Sequence, residues 1–157
     1  MGPSIKKQAK ILQRQYKLPK ISELTKKFDI DSSDLKSLDE LRLEMSDSLF
    51  DLAEKIIEPV VAGENFCCMF EQQMLNKEET ERLLELYKKI QALKWENNML
   101  SIKPDDKKAA ECIKKMWEVH SELEDGLIEI CEKFAKEWET FEFKTSNNKE
   151  SKTCYFG

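Results

Sequence analysis

One histidine, His120, four glycines and four prolines are all that 157 residues contain of these types. The lone histidine excludes a di-iron carboxylate bundle, which takes a Glu-x-x-His motif from each of two helices. Trp117 also stands where the glutamate of such a motif would be. So few turn-formers exclude a sheet of many short strands. Long apolar runs are missing as well. No stretch approaches the roughly 18 apolar residues of a membrane span, and the opening Met-Gly-Pro-Ser-Ile-Lys-Lys lacks the apolar run of a secretory signal. Arginine is scarce, with Arg14, Arg42 and Arg82 set against 23 lysines. Lysine is a hydrated point charge rather than a planar fork, so contacts made by these bases are expected to be electrostatic and weakly specific.

The five cysteines are odd in number and none is spaced Cys-x-x-Cys. That pattern gives no disulfide framework and points to free thiols in a reducing cytosol. Cys112 and Cys131 are 19 residues apart, nearly 30 Å along a straight helix, too far to share a metal. Cys67 and Cys68 are adjacent, a spacing that strains a disulfide, so packing is the expected role. No Gly-rich phosphate loop, nucleophile elbow or kinase signature occurs. No catalytic residue, metal or cofactor is therefore expected, and the chain reads as a non-enzyme. Cys154 is fourth from the end, but Tyr155, Phe156 and Gly157 do not make a prenylation box. Gly2 is followed by Pro3, and Lys6 stands where a myristoylation site carries Ser or Thr.

What is present is charge, distributed unevenly. Residues 1–27 carry eight bases (Lys6, Lys7, Lys10, Arg14, Lys17, Lys20, Lys26, Lys27) and one acid, Glu23, for a charge of +7. The whole chain is −5, which leaves −12 on the other 130 residues. A basic arm precedes an acidic body. The arm either reaches an external anion or folds back on that body, where the local concentration of acid is high.

The body reads as helix throughout. Ile5, Ala9, Leu12 and Tyr16 recur every three or four residues and predict a short amphipathic helix over 4–16. Ser22 is the expected N-cap of a second short helix ending at Phe28. A long helix should begin near Ser33 or Asp34, with Leu38, Leu41, Met45, Leu49, Leu52 and Ile56 along one stripe, and Pro59 should end or kink it. Phe66, Met69, Phe70 and Met74 suit a short, well-buried segment. Asn76 with Glu79 is a capping arrangement. The helix behind it has a heptad seam of Leu83, Leu86, Ile90, Leu93, Asn97 and Leu100. Asn97 either fixes register or marks where the seam opens to water. Pro104 is expected at the first position of a last helix running from Asp105 to about Phe143. One of its seams runs from Ala109 through Met116 to Phe134. A second takes in Ala110, Ile113, Trp117, His120, Ile128, Cys131, Ala135 and Trp138. His120 and Glu124 are one turn apart and placed to pair.

The expected fold is all-α: an elongated antiparallel bundle of three long helices, preceded by one or two short N-terminal helices and followed by a disordered C-terminal tail. The segments are a basic arm over 1–32, the helical bundle over 33–143 and the tail over 144–157, a polar stretch that cannot bury enough apolar surface to order itself. Helices, charge and no catalytic constellation point to a cytoplasmic interaction protein, an adaptor or assembly subunit. It would present coiled-coil-like surfaces to a protein partner or to a second copy of itself. The candidate partner-binding residues are Trp95, Trp117, Trp138 and Phe141, because aromatics dominate interface energetics when they are exposed. The alternative is a nucleic-acid-associated protein that sets Lys6, Lys7, Lys10, Arg14, Lys17 and Lys20 on phosphates.

Overall fold

The computed structural model describes residues 5–31, 35 and 37–142, with the backbone alone for 5–10. The expected disordered tail lies outside the described residues. All regular structure among the described residues is helical. Two short helices come first, α1 (Ile5–Tyr16) and α2 (Ile21–Lys27). They are followed by α3 (Leu38–Leu52), α4 (Glu58–Ala62), α5 (Phe66–Met74), α6 (Lys77–Ile102) and α7 (Asp106–Thr140).

Capping chemistry sets most of these boundaries. Asn76 and Glu79 form the reciprocal box the sequence predicts, each side chain accepting from the other's backbone N–H at 2.8 Å. Asn65 caps α5 by accepting from the Cys68 amide at 2.9 Å. Other starts fall later or earlier than expected. The first long helix begins at Leu38, not near Ser33, because Ser37 accepts the Glu40 amide at 3.1 Å. Ser22 is not a cap, since α2 starts at Ile21 behind Lys20. Pro104 is not inside α7. Asp105 takes the capping position and accepts from the Lys108 amide at 2.9 Å.

Pro59 does not stop the first long helix. The chain passes from α3 through a π-helical turn, Ala53–Ile57, straight into α4. A proline ring clashes with the carbonyl four residues back and offers no N–H. The widened turn shifts the register, and the Glu58 amide reaches back five residues to the Ala53 carbonyl. The disruption is absorbed as one bulge instead of a break.

One core joins the arm to the body. Leu18, Leu24 and Phe28 pack into the same buried cluster as Met45 and Leu49 of α3, Ile90 of α6, and Ile113, Met116 and Leu123 of α7. Leu83, Leu86, Ile90, Leu93, Asn97 and Leu100, the predicted seam of α6, are all buried. Between α6 and α7 run ion pairs Glu79–Lys133 (2.8 Å), Lys89–Glu122 (2.7 Å) and Glu96–Lys115 (2.8 Å). Their numbers rise on one helix as they fall on the other, so this pair is antiparallel. The second predicted seam of α7 holds only in part. Ala110, Ile113 and His120 are buried and Trp117 and Trp138 half-buried, whereas Ile128, Cys131 and Ala135 are exposed.

Two glycines mark close approaches. A Cβ on Gly63 would fall on the Pro59 carbonyl oxygen and the Cys68 side chain. A Cβ on Gly126, in the middle of α7, would meet only the end of the Arg82 side chain. The same substitution should therefore have opposite signs. Gly63→Ala is expected to destabilise by about 1–3 kcal/mol, because backbone must move. Gly126→Ala is expected to stabilise by up to about 1 kcal/mol, since a flexible guanidinium swings aside while helix propensity improves. Urea midpoints of the two variants against the parent check both; equal signs would contradict this packing.

Candidate interaction surfaces

The four aromatic candidates fall in three different places. Trp95 stands alone on α6 at 67% exposure. Trp117 is half-buried and roofed by the Lys27 ammonium, 4.5 Å above its ring. Trp138 and Phe141 share a cluster at the end of α7, with Phe70 of α5 at 4.8 and 4.6 Å from their ring centres. The Trp138 indole N–H donates to Glu71 at 3.0 Å. Helix α5 therefore folds against the end of α7. Trp117 and Trp138 thus work in packing between elements, and Trp95 is the member of the set most open to solvent.

Trp95 does not lie among polar neighbours alone. Met99 is 61% and Ile102 86% exposed, one and two turns beyond it, and Leu84, three turns before it, is 42% exposed. Leu84, Lys88, Gln91, Trp95, Asn98 and Ile102 repeat by four and three on the side of α6 opposite the buried seam, a stripe of mixed character with apolar residues at 84, 95 and 102. Met99 flanks it. A groove of about 640 Å³ opens beside its end, lined by Met99, Leu100, Ile102, Lys103, Lys108 and Glu111 among others. The sequence reading singled out Trp95 and missed Leu84, Met99 and Ile102. Their period was present, but it interleaves with the stronger inner seam.

A second apolar patch was expected to be core. Phe66 and Met69 are exposed at 60% and 53%, and it is Cys68 that turns inward. The α5 segment is too short to bury both of its faces. Cys67, beside it, is exposed, so the two adjacent thiols point into different environments. Cys112 is buried, and burial first, then the Glu96 carboxylate, pushes its thiol up to about 11. Cys154 lies outside the described residues.

The arm is anchored by its apolar side and shows its basic side. Leu12 and Tyr16 pack against the core, and Leu18 is buried, while Arg14, Lys17 and Lys20 are exposed. Lys6, Lys7 and Lys10 fall on α1, with side chains outside the described atoms. Lys27 turns inward. It donates to the Ser121 hydroxyl at 2.7 Å and pairs with Glu124 at 3.2 Å. The arm does fold back on the acidic body, but leucine and phenylalanine carry most of that attachment.

His120 sits at this junction, buried, with the Phe28 ring 4.5 Å away. Its Nδ1 is 3.5 Å from Glu124 and makes no hydrogen bond. Burial holds its pKa below the ordinary value; Glu124 acts the other way and Lys27 adds to the lowering. The folded state therefore binds the proton less readily than the unfolded chain. The resulting stability is full above the unfolded value near 6.5 and is lost as pH falls below it. The urea midpoint should drop on acidification from about pH 7 to about pH 5, and His120→Gln should remove part of that drop. An unchanged pH dependence in the variant would contradict the assignment.

Among the described residues, no three or more His, Cys, Asp and Glu side chains are grouped to hold a metal ion. No helix there is long and apolar enough to cross a membrane. A groove between the α2–α3 turn, α3 and α6 is lined by Asp29, Glu44, Asp47, Asp51 and Glu54, with Lys94 opposite. No protein-family model, curated protein or solved structure matches the chain. The surfaces therefore have to be read from their own chemistry.

Proposed function

We propose that the chain is a non-enzymatic helical interaction protein, an adaptor or assembly subunit working in the cytoplasm. In this reading α3 with its continuation, α6 and α7 make an antiparallel three-helix scaffold, and the outer stripe of α6 is the working surface. The observation that carries it is the exposure of Leu84, Trp95, Met99 and Ile102 on the face of α6 turned away from the core. Single exposed apolar side chains are ordinary, but Trp95, Met99 and Ile102 lie within two turns of one another, and a group of that kind marks a face that meets something. Tryptophan is the residue type most enriched among strong interface contacts. The test is capture of a stoichiometric protein by the tagged full chain, with nuclease present, and its loss in Trp95→Glu. A partner bound equally by Trp95→Glu would remove the α6 face from the proposal.

A second reading places Lys6, Lys7, Lys10, Arg14, Lys17 and Lys20 on nucleic-acid phosphates. It is favoured by the exposure of Arg14, Lys17 and Lys20 on an arm whose apolar side is already engaged. Neutralising about six phosphates gives a log–log slope of affinity against salt near −5. Replacing all six bases by Gln should abolish that slope. Nucleic-acid affinity that is insensitive to salt would rule this reading out.

A further inference from the structure

Resting on the reading of α6 as the working face, we propose that its occupant is a second copy of this chain, with α6 packed antiparallel against α6 of that copy. The stripe is self-complementary in that direction. Leu84 lies toward one end, Met99 and Ile102 toward the other, and Trp95 between them. A two-fold axis near residues 92 and 93 brings each copy's Leu84 against Met99 and Ile102 of its mate. It sets Trp95 beside the mate's Gln91 and Lys88, where the ammonium can lie over the indole face. Ala92, small and exposed, falls at the axis and lets the helices approach.

Charge selects this direction over the parallel one. Parallel packing would stack Lys88 on Lys88 and Glu81 on Glu81, which is destabilising for like charges at close range. Antiparallel packing carries Glu81 to Lys103 of the mate, and both side chains are exposed. Leu84 to Ile102 spans about 27 Å at 1.5 Å per residue. A face of that length lies at the small end of specific interfaces, so the expected dimer is a micromolar one that dissociates on dilution.

The test is sedimentation equilibrium of the full chain from about 1 to about 200 µM, where micromolar association is read directly. The mass is expected to rise from 18.5 kDa toward twice that value. Trp95→Glu and Leu84→Asp should each weaken association at least tenfold, on the order expected for loss of a central contact. Both positions are on the surface, so circular dichroism should show unchanged helix. Glu81→Lys should weaken the dimer, and Glu81→Lys with Lys103→Glu should restore it. Ala92→Cys, in a chain with Cys67, Cys131 and Cys154 changed to Ser, should cross-link to itself on oxidation, and Asp125→Cys should not. A mass of 18.5 kDa at every concentration overturns the self-pairing. So does a dimer indifferent to Leu84→Asp and Trp95→Glu. A monomer that still captures a different protein through Trp95 would sink the self-pairing alone and leave the interaction reading standing. A monomer that captures nothing would end both.

Discussion

Replacing Arg42 with Leu is expected to lower stability by about 2–4 kcal/mol, because it removes charged hydrogen bonds and leaves the buried Asn97 side-chain oxygen without its donor. Arg42 is fully buried on α3. Its Nε and Nη2 donate to Asp39 at 3.0 and 2.7 Å, and its Nη1 donates to the Asn97 carbonyl at 3.1 Å and to the Asn97 side-chain oxygen. Asn97 in turn donates to Ser46 at 3.1 Å, and Ser46 to the Leu43 carbonyl at 2.8 Å. Every member has a partner, so truncating one leaves the others desolvated and unpaired. Asn97→Leu should cost less, about 1–3 kcal/mol, because the guanidinium keeps Asp39 and the Asn97 backbone carbonyl and loses only the side-chain oxygen. The double change Arg42→Leu with Asn97→Leu removes both buried polar groups, and Asp39 is half exposed and can turn to water. It should cost less than the sum of the single changes by about 2 kcal/mol or more. For a chain of this size each kcal/mol moves the melting temperature by about 2–4 °C, so Arg42→Leu should lower it by roughly 10 °C. Strict additivity in the cycle would show that Arg42 and Asn97 do not act as a unit.

Phe28→Ala should have an effect of comparable size, about 3–5 kcal/mol for truncating a buried phenylalanine, but in a different place. Phe28 is 2% exposed and links the end of α2 to His120 on α7. Around it, Leu24 is buried and Lys27 bridges Trp117, Ser121 and Glu124. With the ring gone, the ordering of two short helices has too little apolar burial to offset it. The expected result is release of residues 5–31 while α3, α6 and α7 stay folded. Trypsin should then cut at Lys17, Lys20 and Lys26 well before it cuts within α6 or α7. Hydrogen exchange should quicken in α1 and α2 first. Equal loss of protection in α3, α6 and α7 would mean that arm and body unfold as one unit. This experiment also bears on the basic arm, because a released arm keeps its charges and loses its fixed orientation.

Much of this was legible in the sequence because it depends on local spacing. The inner seam of α6, the Asn76–Glu79 box and the all-helical class follow from periods of three and four and from one capping pair. Helix boundaries were less legible. Whether Ser33, Ser37 or Ser22 caps a helix depends on which serine the packed core leaves next to free amides. The effect of Pro59 could not be read locally either, since the residues that pack along the bulge and α4 come from α6, later in the chain.

The candidate surface divides in the same way. Sequence alone determined which residues could be sticky: Trp95, Trp117, Trp138 and Phe141 are large and aromatic wherever they sit. It also determined that the arm is basic and the body acidic. Only the tertiary structure decided that Trp117 lies under Lys27, that Trp138 is tied to Glu71, and that Trp95, Met99 and Ile102 face outward. The physical reason is that exposure is not a property of one helix. A helix with apolar residues on two faces buries whichever face its neighbours cover, and those neighbours come from residues far away in the chain. Asn97 makes the same point. Its position in the seam was visible from spacing, but the arginine that fills its hydrogen bonds comes from 55 residues earlier.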